Sequence, residues 1–294
     1  MAATHRYVVL VLTHDRPEHL HYALESLFSA TGASEVPIVI SQDGNDQDVR
    51  DAVEDYGSLV DSIVHTSRPS ERRDGHPSPV HGYRCIAAHY RWALNQVFGS
   101  YSTDAVVVIE DDPILASDAL LFLDACQPLL AQDASVWAVS AWNDNGQTEF
   151  VFDAERVVRS DWFPNLGALI SRSLWAELEP DWPEIYWDDW LRETTRRRGR
   201  ATLRPEVSRV CHTGATGSSF GQYFNEHTGR VMLPRQSTGF EKLDVATLHT
   251  DAYDSIYLER VEAATPVIID DMGDVSGDVR VSYRNLEEFS ALAT

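Results

Sequence analysis

Lysine is almost absent from this 294-residue chain, Lys242 being the one example, and arginine supplies the rest of the 24 basic residues. Set against 46 acidic residues they leave a formal net charge of −22, a field that repels phosphate backbones and excludes nucleic acid as an expected partner. Cysteine is scarce too. Cys85, Cys126 and Cys211 are odd in number and none stands in a C-x-x-C pair, which removes a disulfide framework and a zinc or redox motif and leaves them as small buried hydrophobes. No apolar run approaches the ~20 residues needed to cross a bilayer, and the first one, YVVLVL, is too short for a secretory core. Repeats and low-complexity tracts are also missing. The chain therefore reads as soluble and untargeted.

What is present is a 43% hydrophobic content, enough for a large core, arranged in short β-branched runs that alternate with amphipathic stretches. YVVLVL (7–12) predicts a strand covered on both faces, and Pro17 with Leu20, Leu24, Leu27 and Phe28 predicts a helix that stops near Gly32. PIVIS (37–41), VDSIVH (60–65), AVVVIEDD (105–112) and VWAVSAWND (136–144) read as further strands. DVRDAVEDY (48–56), GYRCIAAHYRWALNQVF (82–98) and ALLFLDACQPLLAQ (119–132), the last bent at Pro128, read as helices. The segment 67–80 reads as a long surface loop. Such alternation predicts an α/β fold with helices on both faces of its sheet, whose ligands bind beyond the carboxyl ends of the strands. After about Asn145 the pattern turns irregular and aromatic, and from about Arg230 onward TPVIID and DVRVSY predict a small β-rich subdomain.

Glu110, Asp111 and Asp112 follow AVVVI directly, at the ligand edge of the expected sheet. Crowded carboxylates there are costly unless a cation neutralises them, and hard oxygen ligands suit Mg²⁺ or Mn²⁺. The alternative is one helix-capping acid with the others solvated. Trp187-Asp188-Asp189-Trp190, near Trp175, Trp182 and Tyr186, fits a carboxylate base beside an aromatic face for a sugar, or equally a helix start with acids in its first turn. The run from Asp43 to Glu54 has the spacing of a calcium loop, but Asp48 stands where the turn demands glycine, so Asp43 is better placed for a nucleotide. Gly217-Ser218-Ser219-Phe220-Gly221 has the form of a hydrolase elbow, without the sheet that should follow one, and reads otherwise as a Gly/Ser loop closing over phosphates. Arg16 could serve a phosphate or pair with Asp15 or Glu18, and His89 is a packed helix histidine or a ligand contact.

Taken in order, SQDG, AHYRWALNQVFGS, VVVIEDD, VSAWNDNG, LWAELEPDWP, YWDDW and GRATLRPEVSR resemble the animal and plant β-1,2-N-acetylglucosaminyltransferase I family. The resemblance implies a GT-A fold, a Rossmann-like mixed sheet with helices on both faces. It implies a catalytic domain over 1–229, with a nucleotide-sugar half at about 1–115 and an acceptor half at about 116–229, and the β-rich subdomain at 230–294. The implied activity is inverting transfer of GlcNAc from UDP-GlcNAc to the 2-hydroxyl of a terminal α-1,3-linked mannose in a glycan, with Mn²⁺, or Mg²⁺ or Co²⁺ in its place. By position, Asp112 resembles the direct metal ligand, and Glu110 and Asp111 the contacts to ribose and donor sugar. Arg16, Asp43 and His89 resemble residues around the uridine and its phosphates. Asp188 resembles the base, Trp187 the residue beside GlcNAc, and Ser218 and Ser219 the loop on the phosphate. Two departures stand out: Phe220 replaces a histidine usual in that loop, and NLGAL (165–169) lacks a usual tryptophan. The alternatives are a UDP-GlcNAc transferase with another acceptor, an O-mannosyl or bacterial or archaeal glycan, or a sugar nucleotidyltransferase. The expected setting is the cytoplasm of a prokaryote or, for a catalytic domain parted from its anchor, the Golgi lumen.

Overall fold

Strand β1 (Val8–Thr13) is buried at all six positions, which a strand achieves only when both faces of its sheet are covered. The computed structural model describes residues 5–67, 69, 79–213, 224–267 and 277–291. Most of the expected loop at 67–80, and the Gly/Ser loop with Ser218, Ser219 and Phe220, lie outside the described residues. The chain divides into two compact units, Met1–Leu243 and Asp244–Thr294.

In the first unit β1 leads to α1 (Pro17–Ser29), β2 (Ile38–Asp43), α2 (Gln47–Glu54) and β3 (Asp61–His65). The long helix α3 (Pro79–Ser100) returns the chain to β4 (Ala105–Glu110). There follow β5 (Pro113–Leu115), α4 (Ala119–Cys126), α5 (Leu129–Gln132), β6 (Val136–Ser140), β7 (Val157–Ser160), β8 (Ala168–Ser171) and α6 (Arg172–Leu178). The unit continues through α7 (Trp187–Arg192), α8 (Thr194–Arg197), β9 (Ala201–Pro205) and β10 (Val210–His212). Pro128 separates α4 from α5, where the bend was expected. Pro17 occupies the first turn of α1, where its missing N–H costs nothing.

The large sheet has the order β3-β2-β1-β4-β8-β6-β9-β7. Its first four strands are parallel, and β8 runs antiparallel between β4 and β6. This is the expected α/β arrangement of GT-A type, a mixed sheet in which a parallel Rossmann-like half meets antiparallel strands. Val8, Leu10 and Leu12 of β1 pack with Ala87, Tyr90, Leu94 and Val97 of α3 in one apolar cluster. Val9 and Val11 face the opposite side and are equally buried, and α1 and α4 bury their own leucines, Leu20, Leu24 and Leu27, and Leu120 and Leu123.

Two topological facts place the site. From β1 the chain moves to β2 and β3 on one side and then crosses back to β4 on the other, so β1 and β4 flank a switch point, where a crevice opens at the carboxyl ends. Just past β4, β5 pairs antiparallel with β10, setting Pro113 opposite His212. Gly167, at φ +59°, delivers the chain into β8. A Cβ there would stand 3.0 Å from Val210 and 3.1 Å from Ala141, so both the left-handed backbone and the close approach favour glycine.

In the second unit the two segments expected as strands do pair, as β11 (Thr265–Val267) and β12 (Val279–Val281). Its longest element is α9 (Thr250–Ala263), a helix absent from the expectation, and α10 (Leu286–Ala291) follows.

Candidate active site

Glu110 is the last residue of β4, paired with Leu12 of β1, and Asp111 and Asp112 lie just beyond at the switch point. Thr13, ending β1, donates to Asp111 at 2.8 Å. Arg16, on the turn into α1, donates to Asp112 at 3.0 Å and also to Asp111. Tyr90 of α3 donates its hydroxyl to Glu110 at 2.7 Å. From the other side the β5–β10 ribbon brings Nε2 of His212 to 3.3 Å from Asp112 Oδ2. The second carboxylate oxygen of Asp112, Oδ1, is buried and has no hydrogen-bond partner.

Desolvation dominates the electrostatics here. Part of Glu110 still reaches the surface, yet its carboxyl is desolvated and faces the Asp112 charge, which together push it up to about 7. Burial also raises Asp111, against the pull of Arg16. Asp112 is desolvated as well, but His212 and Arg16 outweigh that and hold its carboxyl below the usual range. Burial tends to lower His212, and Asp112 overcomes it, so the imidazole is raised. Against three carboxylates the cluster sets one guanidinium and the raised His212 imidazole, and a buried carboxylate oxygen there without a hydrogen-bond partner fits a divalent cation. Among the described residues no group of three or more His, Cys, Asp or Glu is arranged to hold a cation unaided.

Beside this cluster lies a second one, built on β2 and β3. Asp43, last in β2, is buried and accepts from Nδ1 of His65, last in β3, at 2.8 Å. His89 of α3 sits 2.7 Å from the Ser41 hydroxyl and stacks parallel to His65, with ring centroids 5.6 Å apart. Trp92 adds a third ring, 5.0 Å from His65. A cleft lined by His14, Asp15, Gly44, Asn45, Asp46 and Thr66 opens beyond the ends of β1, β2 and β3. Asp46 caps α2 by accepting from Val49 N, so the acids of this loop serve the helix start and not a calcium loop.

Opposite the acids, Tyr186 at φ 50° turns the chain into α7, which puts Trp187 inward and Asp188 and Asp189 on the first turn. The acids do start a helix, one of the two expected readings, and the Trp187 ring lies 4.2 Å from Tyr90 and stacks on Trp182 at 5.8 Å. Asp188 accepts from Arg192 at 3.1 Å, and the same nitrogen reaches Asp189 at 2.9 Å. The Asp188 charge is felt at Tyr90, whose phenol is pushed well above its usual value by burial first, then by Glu110 and Asp188.

The structure thus sets Glu110, Trp187 and Asp188 about Tyr90 and joins Arg16 to Asp111 and Asp112 beside Glu110, with Asp43 and His89 in a separate aromatic cluster. Ser218 and Ser219 lie outside the described residues. Sequence reasoning did not name Thr13, His65, Tyr90 or His212. Thr13 and His65 end parallel strands, a position that signals the ligand edge; His212 had no such signal, since only strand register puts it beside Asp112.

Among solved structures the chain resembles the mannosyltransferase PcManGT of Pyrobaculum calidifontis in complex with GDP-Man and Mn²⁺, at 17% identity and a TM-score of 0.45, over 69% of this chain and 57% of that one. It resembles S. aureus TarS 1–349 in complex with UDP-GlcNAc at 12% identity and a TM-score of 0.46, over 98% of this chain and 71% of that one. In sequence it is 35% identical, over 97% of its length, to the alpha-1,3-mannosyl-glycoprotein 2-beta-N-acetylglucosaminyltransferase of Arabidopsis thaliana, and it spans 65% of that protein. The family model described as GNT-I matches residues 2–294, and the chain belongs to the GNT-I family.

Proposed function

We propose that this chain is an inverting, divalent-cation-dependent glycosyltransferase that moves GlcNAc from UDP-GlcNAc to the 2-hydroxyl of a terminal, α-1,3-linked mannose in a glycan. Membership of the GNT-I family and the name of the plant relative support the class of reaction. The observation that carries the reading is the arrangement around Tyr90, with a cation-seeking carboxylate cluster on its hydroxyl side and the helix of Asp188 on its ring.

In this reading Asp43, His65 and His89 receive the uridine at the ends of β2 and β3. Glu110 and Asp111 contact the ribose and donor sugar, and Asp112 would hold Mn²⁺, or Mg²⁺ or Co²⁺ in its place. Bound there, the cation would offset the charge of the departing diphosphate. Ser218 and Ser219 complete the phosphate contacts. Trp187 backs the GlcNAc, and Asp188 takes the proton of the mannose 2-hydroxyl as that oxygen attacks C1 and the bond from C1 to the diphosphate breaks, which inverts the anomeric centre. On this assignment 1–115 forms the nucleotide-sugar half and 116–229 the acceptor half.

The test is release of UDP from UDP-GlcNAc with Mn²⁺ or with EDTA, in the presence and absence of an α-1,3-mannosyl acceptor. Release that needs both metal and acceptor is the expected result. Full release in EDTA, or none with any mannoside while pyrophosphate exchange proceeds, would overturn it.

A further inference from the structure

We infer that the cleft over the outer face of α1 is a second, non-catalytic binding site for a neutral oligosaccharide, with Tyr22 and Tyr56 as its aromatic platform. The inference goes beyond the proposed reaction and takes from it only the choice of probe.

Leu20, Leu24 and Leu27 bury one stripe of α1, and the opposite stripe, at helical spacing, carries Tyr22, Glu25 and Ser26. Together with Phe28, Tyr56 and Ile114 of β5 that stripe lines a cleft of about 640 Å³, within the range of small-molecule sites. The helix begins beside Arg16 and β5 begins just after Asp112, so the cleft shares its elements with the acid cluster. Tyr22 stands about 9 Å along the helix from Arg16, at the ordinary rise per residue. A glycan held there stays close to the site of transfer.

The walls are fixed before any ligand arrives. Phe28 and Tyr56 stack, with ring centroids 5.5 Å apart and planes at 13°. The backbone N–H of Leu115 donates to the Ser26 hydroxyl at 3.1 Å, which fastens β5 to α1. A hydrogen-bonded chain then runs through His21: Nδ1 lies 3.1 Å from the Tyr56 hydroxyl and Nε2 lies 3.3 Å from Glu25 Oε1. One neutral tautomer serves both, Nδ1 accepting from the phenol and Nε2–H donating to the carboxylate. Burial first, then the charges of Glu25 and Asp55, raise the Tyr56 phenol, so it keeps the proton this chain needs.

The lining selects the ligand. Tyr22 is 58% exposed and offers a ring face of negative potential, on which the polarised C–H face of a sugar packs. Beside it the Glu25 carboxylate accepts from hydroxyl groups. A wholly apolar occupant would desolvate Glu25 without replacing its hydrogen bonds to water. A phosphate or an acidic peptide would meet Glu25, Asp55 and a net charge of −22. A basic peptide would find at the cleft a carboxylate already shared with His21. A neutral ligand with both apolar faces and hydroxyl edges meets none of these costs.

Fluorine NMR of the full chain labelled with 3-fluorotyrosine reads the site directly, with Tyr22→Phe and Tyr56→Phe assigning the two resonances. A branched oligomannose glycan, added without donor or metal, should shift both of them saturably. Read at Tyr56, Tyr22→Ala should weaken that binding about 3- to 10-fold, the worth of one aromatic contact. Tyr22 is exposed, so its loss leaves the core intact, and circular dichroism checks the fold. Resonances unmoved by millimolar glycan, or moved as far by glycerol or by an oligo-arginine peptide, would overturn the site. No shift beside intact transfer of GlcNAc overturns the site alone, and a saturable shift beside no transfer overturns the proposed reaction alone.

Discussion

Tyr90 and Glu110 share a 2.7 Å hydrogen bond while the face of the same Tyr90 ring lies against Trp187, so one side chain of α3 joins the acids at the end of β4 to the helix that carries Asp188. Tyr90→Phe keeps the ring and removes only the hydroxyl. It should cost about 1–3 kcal/mol, because a desolvated carboxyl loses its donor, and urea denaturation would measure this. The turnover of UDP-GlcNAc should fall with it. An unchanged denaturation midpoint and unchanged turnover would mean that the bond is incidental.

Arg192 bonds both acids of the first turn of α7, donates to the carbonyl of Phe163 and lies over the Trp162 ring, 4.6 Å from its centroid. It acts on the proposed base and touches no reacting atom in this account, which makes it a positioning residue. Arg192→Gln should lower kcat by about 10- to 100-fold with the KM for donor nearly constant, since a small misplacement of a reacting group is enough. Arg192→Lys, which keeps the charge, should recover part of the loss. A rise in donor KM with kcat intact would assign Arg192 to binding.

Asp118 and Arg209 form an ion pair at 3.1 Å in which both side chains are 0% exposed, and Thr238 closes the carboxylate with its N–H and hydroxyl. Asp118→Ala strands a buried guanidinium, at a cost of about 3–5 kcal/mol. The double variant Asp118→Asn with Arg209→Met should be less destabilised than Asp118→Ala alone. Additive losses in urea denaturation would contradict the coupling.

The parallel half of the fold was legible because buried strands and amphipathic helices differ in period: β1, β2, β3, β4 and β6 all coincide with runs read as strands. Strands β7, β8 and β9 escaped notice, being only four or five residues long and set among tryptophans and arginines that mask alternation. Helix α9 was missed because its buried and exposed residues follow no helical stripe; none of its residues is fully buried. At the site, acids directly after a β-branched run stood out from the sequence. Tyr90 and His212 did not, because their meaning comes from partners 20 and 100 residues away, at Glu110 and Asp112, which only packing and strand register bring together.

The division of labour between Asp112 and Asp188 is the centre of the account, and donor affinity measured beside turnover in three proteins tests it most directly. With Mn²⁺ present, the wild type should bind UDP-GlcNAc and transfer it to the mannoside. Asp112→Asn should lose both affinity and transfer. Asp188→Asn should bind the donor as wild type does and lose transfer by about 10²- to 10⁴-fold, the range a positioned base contributes. Transfer that survives in Asp188→Asn, or donor binding that is indifferent to Asp112, would contradict it.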